Sequence, residues 1–133
     1  MSHKKFRVLH LEDNLDITDK LKYLFENENI HYEVVQTAEE AYERLDTGQK
    51  PHIMLVDLCL EDDINPEPGI QFIKKAYDKY PGLKMMVLSN RGDQTFREDL
   101  DPYVFDYEVK IFRPSVFKDR LIERLKQMDI TNE

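Results

Sequence analysis

Five polar side chains in this sequence each close a strand-like run, four of them after mostly apolar residues. Glu12 and Asp13 come after "VLHL", Asp57 after "IMLV", Ser89 after "MMVL", and Lys110 closes "DYEVK". Brought to one place, they would offer three carboxylates, a hydroxyl and an amine. Three converging carboxylates repel one another, and a hard dication relieves that repulsion. Mg²⁺ suits the role because it takes oxygen ligands and keeps several waters. Lys110 can supply positive charge from the opposite side, and Ser89 can donate a hydrogen bond. A metal, a cation and a hydroxyl around one carboxylate suit a phosphoryl group, whose oxygens carry the charge during transfer. Asp57 is then the natural nucleophile, forming an acyl phosphate.

Taken singly, each residue has a plainer use. An acidic pair after a strand commonly caps a helix and complements its dipole. A serine there is usually a cap, and a lysine is usually solvated. The chemistry therefore depends on elements that bring all five to one edge. "FRVLHLED" reads as a short strand ending in acids, and "NLDITDKLKYLFENEN" as a helix carrying Ile17, Leu21, Leu24 and Phe25 on one face. "HYEVVQ" is a strand. Thr37 and Glu40 form a capping box that starts a helix, and Gly48 and Pro51 stop it. "IMLVDL" is the third strand; the helix after it carries Ile70, Ile73, Ala76 and Tyr77 and closes at "YPG". "KMMVLS" is a strand, "GDQTFREDLD" a weak short helix and "VFDYEVK" a strand. Pro114 and Ser115 open a last helix with Phe117, Leu121, Leu125 and Met128 along one face.

This β-α alternation, five times over, implies parallel strands with right-handed crossovers. The apolar runs 53–56 and 85–88 suggest strands buried on both faces. The expected fold is a doubly wound α/β domain with a five-stranded parallel sheet flanked by five helices. Ligands in such folds sit outside the carboxyl ends of the strands, where Glu12, Asp13, Asp57, Ser89 and Lys110 all fall. Asp57 is thus expected at the mouth of the sheet, held by a buried strand yet meeting water, metal and substrate.

The 133 residues suffice for one domain, and residues 1–133 are read as a single one. A net charge of −8 argues against direct nucleic-acid binding or adhesion to an anionic membrane. One cysteine permits no internal disulfide, which suits a reducing cytosol, and a cytoplasmic location is expected. No apolar run approaches the roughly 20 residues of a membrane helix, so no membrane insertion is expected. "MSHKKF" is not followed by the apolar stretch of a signal peptide, so none is expected, and the chain reads as either a free-standing domain or a piece of a longer protein. His3, His10, His31 and His52 are dispersed and read as no metal cluster.

With these residues in place, the chain resembles the receiver domain of two-component response regulators over about residues 6 to 128. The resemblance is carried by "VLHLED" with Glu12 and Asp13, "MLVDL" with Asp57, "MVLSN" with Ser89, and "DYEVK" with Tyr107 and Lys110. It implies a flavodoxin-like sheet of order 2-1-3-4-5 and a phosphorylation switch. A histidine kinase or histidine phosphotransfer protein would present a phosphohistidine to Asp57. Mg²⁺ would be held by Asp13, Asp57 and the backbone carbonyl of Cys59, with Glu12 acting mainly through a metal-bound water. Ser89 and Lys110 would bind the phosphoryl oxygens. Tyr107 matches the aromatic residue that turns inward when the hydroxyl residue moves towards the phosphate. The face of the fourth helix, fifth strand and fifth helix would then change its affinity for a partner. The protein would be no enzyme beyond its own phosphorylation and dephosphorylation.

The chain departs from the family pattern in four places. Ile111 stands where proline usually follows the lysine. "CLEDDINPEPG" makes the loop after Asp57 about four residues longer and adds Glu61, Asp62, Asp63 and Glu67. Tyr103 and Val104 replace a small Gly-Ala pair, and Asn90 replaces alanine. A cis bond costs about 2.5–4 kcal/mol before a non-proline residue, against about 0.5–1 before proline. A trans Lys110–Ile111 bond, with a rerouted loop and Lys110 still reaching Asp57, is therefore expected. Two alternatives compete: a receiver-like binding module that signals without phosphorylation, and a Mg²⁺-dependent phosphohydrolase. The second lacks the D-x-D pair of haloacid-dehalogenase phosphatases, since Cys59 stands at its second position.

Overall fold

The computed structural model describes residues 5–58, 66–89, 97–109 and 113–131, without the side chains of residue 109 and of 129–131. Strands β1 (Phe6–Leu11), β2 (Ile30–Val35), β3 (Ile53–Asp57), β4 (Met85–Ser89) and β5 (Asp106–Val109) alternate with helices α1 (Leu15–Phe25), α2 (Ala38–Thr47), α3 (Glu67–Lys79), α4 (Arg97–Leu100) and α5 (Pro114–Thr131). The strands form one parallel sheet of order β2-β1-β3-β4-β5, as the resemblance implied.

Strand side chains alternate between faces, and the core divides accordingly. Val8, Ile53, Leu55, Met86 and Leu88 pack against Leu21 and Phe25 of α1 and Phe117, Leu121 and Leu125 of α5. Leu9, Leu11, Met54, Val56, Met85 and Val87 pack against Ala41 of α2, Ile70, Phe72, Ile73 and Ala76 of α3, and Leu100 of α4. The adjacent residues Met85 and Met86 thus serve opposite cores, and both are fully buried. The helix starts follow the sequence signals. Thr37 caps α2, its hydroxyl accepting from the Glu40 N–H at 3.1 Å. Asn14 caps α1, its side chain accepting from the Asp16 N–H at 3.0 Å.

The last strand starts later than "VFDYEVK" suggests. Val104 donates its N–H to Leu100 O at 3.1 Å, so the turn that closes α4 holds it out of the ladder. Tyr103 and Val104 instead pack, partly buried, against the α2–α3–α4 core. Within the described residues, the expected short helix is present as α4, Arg97–Leu100.

Candidate functional site

Glu12 and Asp13 directly follow β1, and Asp57 is the last residue of β3. His10 and Leu11 pair with Leu55 and Val56, which sets the ends of the two strands side by side. One carboxylate oxygen from each of Glu12, Asp13 and Asp57 lies within 4.8 Å of the others. Glu12 and Asp57 are 0% and 1% exposed, whereas Asp13 is exposed. The sequence expectation of a water-facing Asp57 is therefore corrected. Asp57 has strand neighbours on both sides, β1 and β4, and its side chain is buried at the sheet end. Asp13 is the member of the trio that faces solvent.

Local structure fixes the trio. Glu12 donates its N–H to Val35 O at 2.9 Å, and its Oε2 accepts from the Asn14 N–H at 3.2 Å. Beneath it lies a polar pair that sequence reading missed, a buried histidine and a partly buried tyrosine. His10 Nδ1 is 2.6 Å from the Tyr32 hydroxyl, and His10 Nε2 is 4.0 Å from Glu12 Oε1. Burial, with the Glu12 and Asp19 charges adding to it, pushes the Tyr32 phenol well above its ordinary range, so it stays neutral. A histidine within an apolar strand was the only signal available, and it named no partner.

Gly69 is a second missed residue. Its N–H donates to Leu58 O at 3.0 Å, and a Cβ there would sit 2.4 Å from Leu58 Cα and 2.8 Å from Asp57 O. Only glycine allows α3 to start against the backbone that carries Asp57.

Ser89 ends β4, one residue beyond the Leu88 that pairs with Asp57, and is partly exposed. Tyr107 pairs with Val87 on the neighbouring strand and packs on the α2–α3–α4 side of the sheet. Cys59, Asn90, Lys110, Ile111 and the acids 61 to 63 lie outside the described residues, as does the expected trans bond. Glu67 opens α3, where its carboxylate accepts from Gln71 Nε2 at 2.7 Å.

Two buried carboxylates beside a third are costly unless a positive charge compensates them. The donor set is all oxygen, with one exposed member for approach, and it fits a hard cation such as Mg²⁺. A doubly wound parallel sheet with an acidic, oxygen-rich site at its carboxyl edge defines the class of the molecule. Comparison with known families narrows it further. The response regulator receiver domain family matches residues 8–122, and the chain belongs to that family.

Solved structures agree on the fold. A receiver domain protein from Methanospirillum hungatei superposes with a TM-score of 0.78 at 22% identity, covering 95% of this chain and 98% of that one. The receiver domain of Francisella response regulator 1452 gives 0.77 at 22% identity, with coverages of 97% and 100%. A response regulator from Thermotoga maritima gives 0.77 at 19%, with coverages of 92% and 98%. No helix among the described residues is long and apolar enough to cross a membrane.

Proposed function

We propose that the chain, as a single receiver domain over residues 1–133, accepts a phosphoryl group on Asp57 in a Mg²⁺-dependent step. The donor would be the phosphohistidine of a histidine kinase or phosphotransfer protein, and the product would alter binding to a downstream partner. The observation that carries this reading is the convergence of Glu12, Asp13 and Asp57 within 4.8 Å, two of the three buried at the end of a parallel sheet.

In this reading an Asp57 carboxylate oxygen attacks phosphorus as the phosphorus–nitrogen bond of the donor breaks. The leaving imidazole keeps the bonding electron pair and takes up a proton. Bound Mg²⁺ supplies charge neutralisation for the phosphoryl oxygens. Asp13, Asp57 and the Cys59 carbonyl would hold it, with Glu12 acting through a metal-bound water. Glu12 is oriented by the Asn14 N–H. Ser89 would donate a hydrogen bond to one phosphoryl oxygen and Lys110 an ammonium to another, and Ser89 and Tyr107 would report the charge to the α4–β5 side. The domain acts on itself and turns over no external substrate. A cytoplasmic site of action fits a cytosolic phosphohistidine donor.

Acetyl phosphate with Mg²⁺, followed by intact mass measurement, tests the reading. Wild-type protein gains one phosphoryl group and Asp57→Asn gains none. A fully labelled Asp57→Asn protein overturns the assignment, and an unlabelled wild type favours signalling without phosphorylation.

A further inference from the structure

His10 and Tyr32 lie outside the trio of acids yet lead directly into it. Both face the α1–α5 side of the sheet: His10 lies two residues along β1 from Val8, which pairs with Tyr32 and joins that core. Tyr32 stands on the outer strand β2, its ring 5.0 Å from that of Phe25 on α1 and 5.8 Å from that of His10. Its hydroxyl meets His10 Nδ1 at 2.6 Å, and His10 Nε2 lies 4.0 Å from Glu12 Oε1. A polar path thus runs from the outer strand, through β1, to a carboxylate of the trio.

The placement of protons along this path follows from its two ends. Burial raises the Tyr32 phenol far above its ordinary range, so it keeps its proton and can donate to Nδ1. Nε2 then carries the imidazole proton and turns an N–H dipole towards Glu12 Oε1. The reverse tautomer would set the Nε2 lone pair against a carboxylate, in a contact closed to solvent on both sides. At 4.0 Å the contact is electrostatic rather than a hydrogen bond.

Glu12 is therefore addressed at both oxygens. Oε2 accepts from the Asn14 N–H at 3.2 Å, and Oε1 faces the histidine. With one contact a carboxylate still turns about its last bond, and a dipole aimed at the other oxygen disfavours that turn. Each oxygen has two lone-pair directions, so one remains open to a metal-bound water. A group already held in its bound orientation loses less freedom on binding.

We propose that Tyr32 and His10 form a brace that orients the Glu12 carboxylate for the cation, so that the outer strand β2 supports metal affinity. Both are positioning residues, acting through Glu12. The inference rests on the metal-binding part of the proposed function, and its test separates the two.

The full chain is labelled with ¹⁵N-histidine, and its four imidazoles are followed by NMR in metal-free protein and during Mg²⁺ titration. The His10 signals are assigned by their loss in His10→Gln. In the metal-free wild type, Nε2 is protonated and Nδ1 is an acceptor. Tyr32→Phe moves the Nδ1 resonance while His52 keeps its own. Mg²⁺ moves the Nε2 resonance along the saturation curve read by calorimetry. His10→Leu binds Mg²⁺ about 3- to 10-fold more weakly than wild type. Tyr32→Phe weakens binding in the same direction, and the double variant is no weaker than His10→Leu, because the tyrosine acts only through the histidine. His10→Gln, whose amide presents an N–H to Glu12, recovers part of the affinity. If His10→Leu does not fold, Tyr32→Phe decides by its lower affinity and its moved Nδ1 resonance.

A protonated Nδ1 in the wild type overturns the brace. Equal Mg²⁺ affinity in all folded variants, whatever their urea unfolding, reduces the pair to packing and overturns the positioning role while leaving the metal site intact. A wild type that binds no Mg²⁺ overturns the metal reading, and the inference with it.

Discussion

The two sides of the carboxyl edge are built differently. Glu12 and Asp57 sit on the α1–α5 side, at the ends of strands flanked by other strands, and both are buried. The backbone beneath Asp57 is clamped by Gly69, with no room for a methyl group. Ser89 and Tyr107 sit on the α2–α3–α4 side and are partly exposed, and the Tyr107 hydroxyl meets Asp101 and the Arg97 carbonyl of α4. Close-packed backbone resists displacement, whereas a hydrogen bond exchanges with water at small net cost. The side that carries Glu12 and Asp57 is therefore the more rigidly placed of the two.

The sharpest way to break this contrast is to change the acids. Asp57→Asn should abolish phosphorylation, read by intact mass, with the fold retained. Asp13→Asn should weaken Mg²⁺ binding roughly tenfold by calorimetric titration, since a neutral amide neither balances the ion nor ligates it as well. An unchanged titration would remove Asp13 from the site. Gly69→Ala probes the rigid side directly. The added carbon meets backbone rather than a flexible side chain, so the cost should reach the upper part of the usual 1–3 kcal/mol for overpacking, read by urea unfolding. Tyr107→Phe, by contrast, should lower stability by about 1 kcal/mol or less. Similar losses in the two variants would erase the distinction.

A smaller effect concerns Asp46 on α2. The Tyr80 hydroxyl bonds it at 2.7 Å, and that bond, with Lys79 adding to it, holds the Asp46 carboxyl below its ordinary range. A depressed carboxyl contributes stability above its unfolded pKa and loses it as pH falls through the folded one. Tyr80→Phe should therefore be slightly less stable than wild type at neutral pH. The gap should narrow on acidification below the ordinary carboxylate range, and a gap that widens would contradict the assignment.

The sequence makes these elements legible to different degrees. Apolar runs ending in acids marked β1 and β3, and Thr37 with Glu40 marked the start of α2, because those signals are local. Parallel pairing and the edge that gathers the acids followed from β-α alternation and the handedness of crossovers, whereas the sheet order came only with the resemblance to receiver domains. Contacts between distant segments were not legible. Nothing near His10 announces Tyr32, 22 positions away, and nothing near Tyr107 announces Arg97 and Asp101. The depth of Asp57 was misread because a strand end says where a side chain lies along the sheet and not what closes over it. Val104 was read as strand because its propensity fits; a hydrogen bond to Leu100 overrode it.

The bond from Gly69 to Leu58 has a consequence for how such domains diverge. It closes residues 59–68 into a ring whose two ends are fixed whatever the ring contains. Closure entropy grows only with the logarithm of length, so four extra residues in a ring of ten cost about 0.5 kcal/mol. Insertions there can accumulate almost freely while the backbone that carries Asp57 keeps its place.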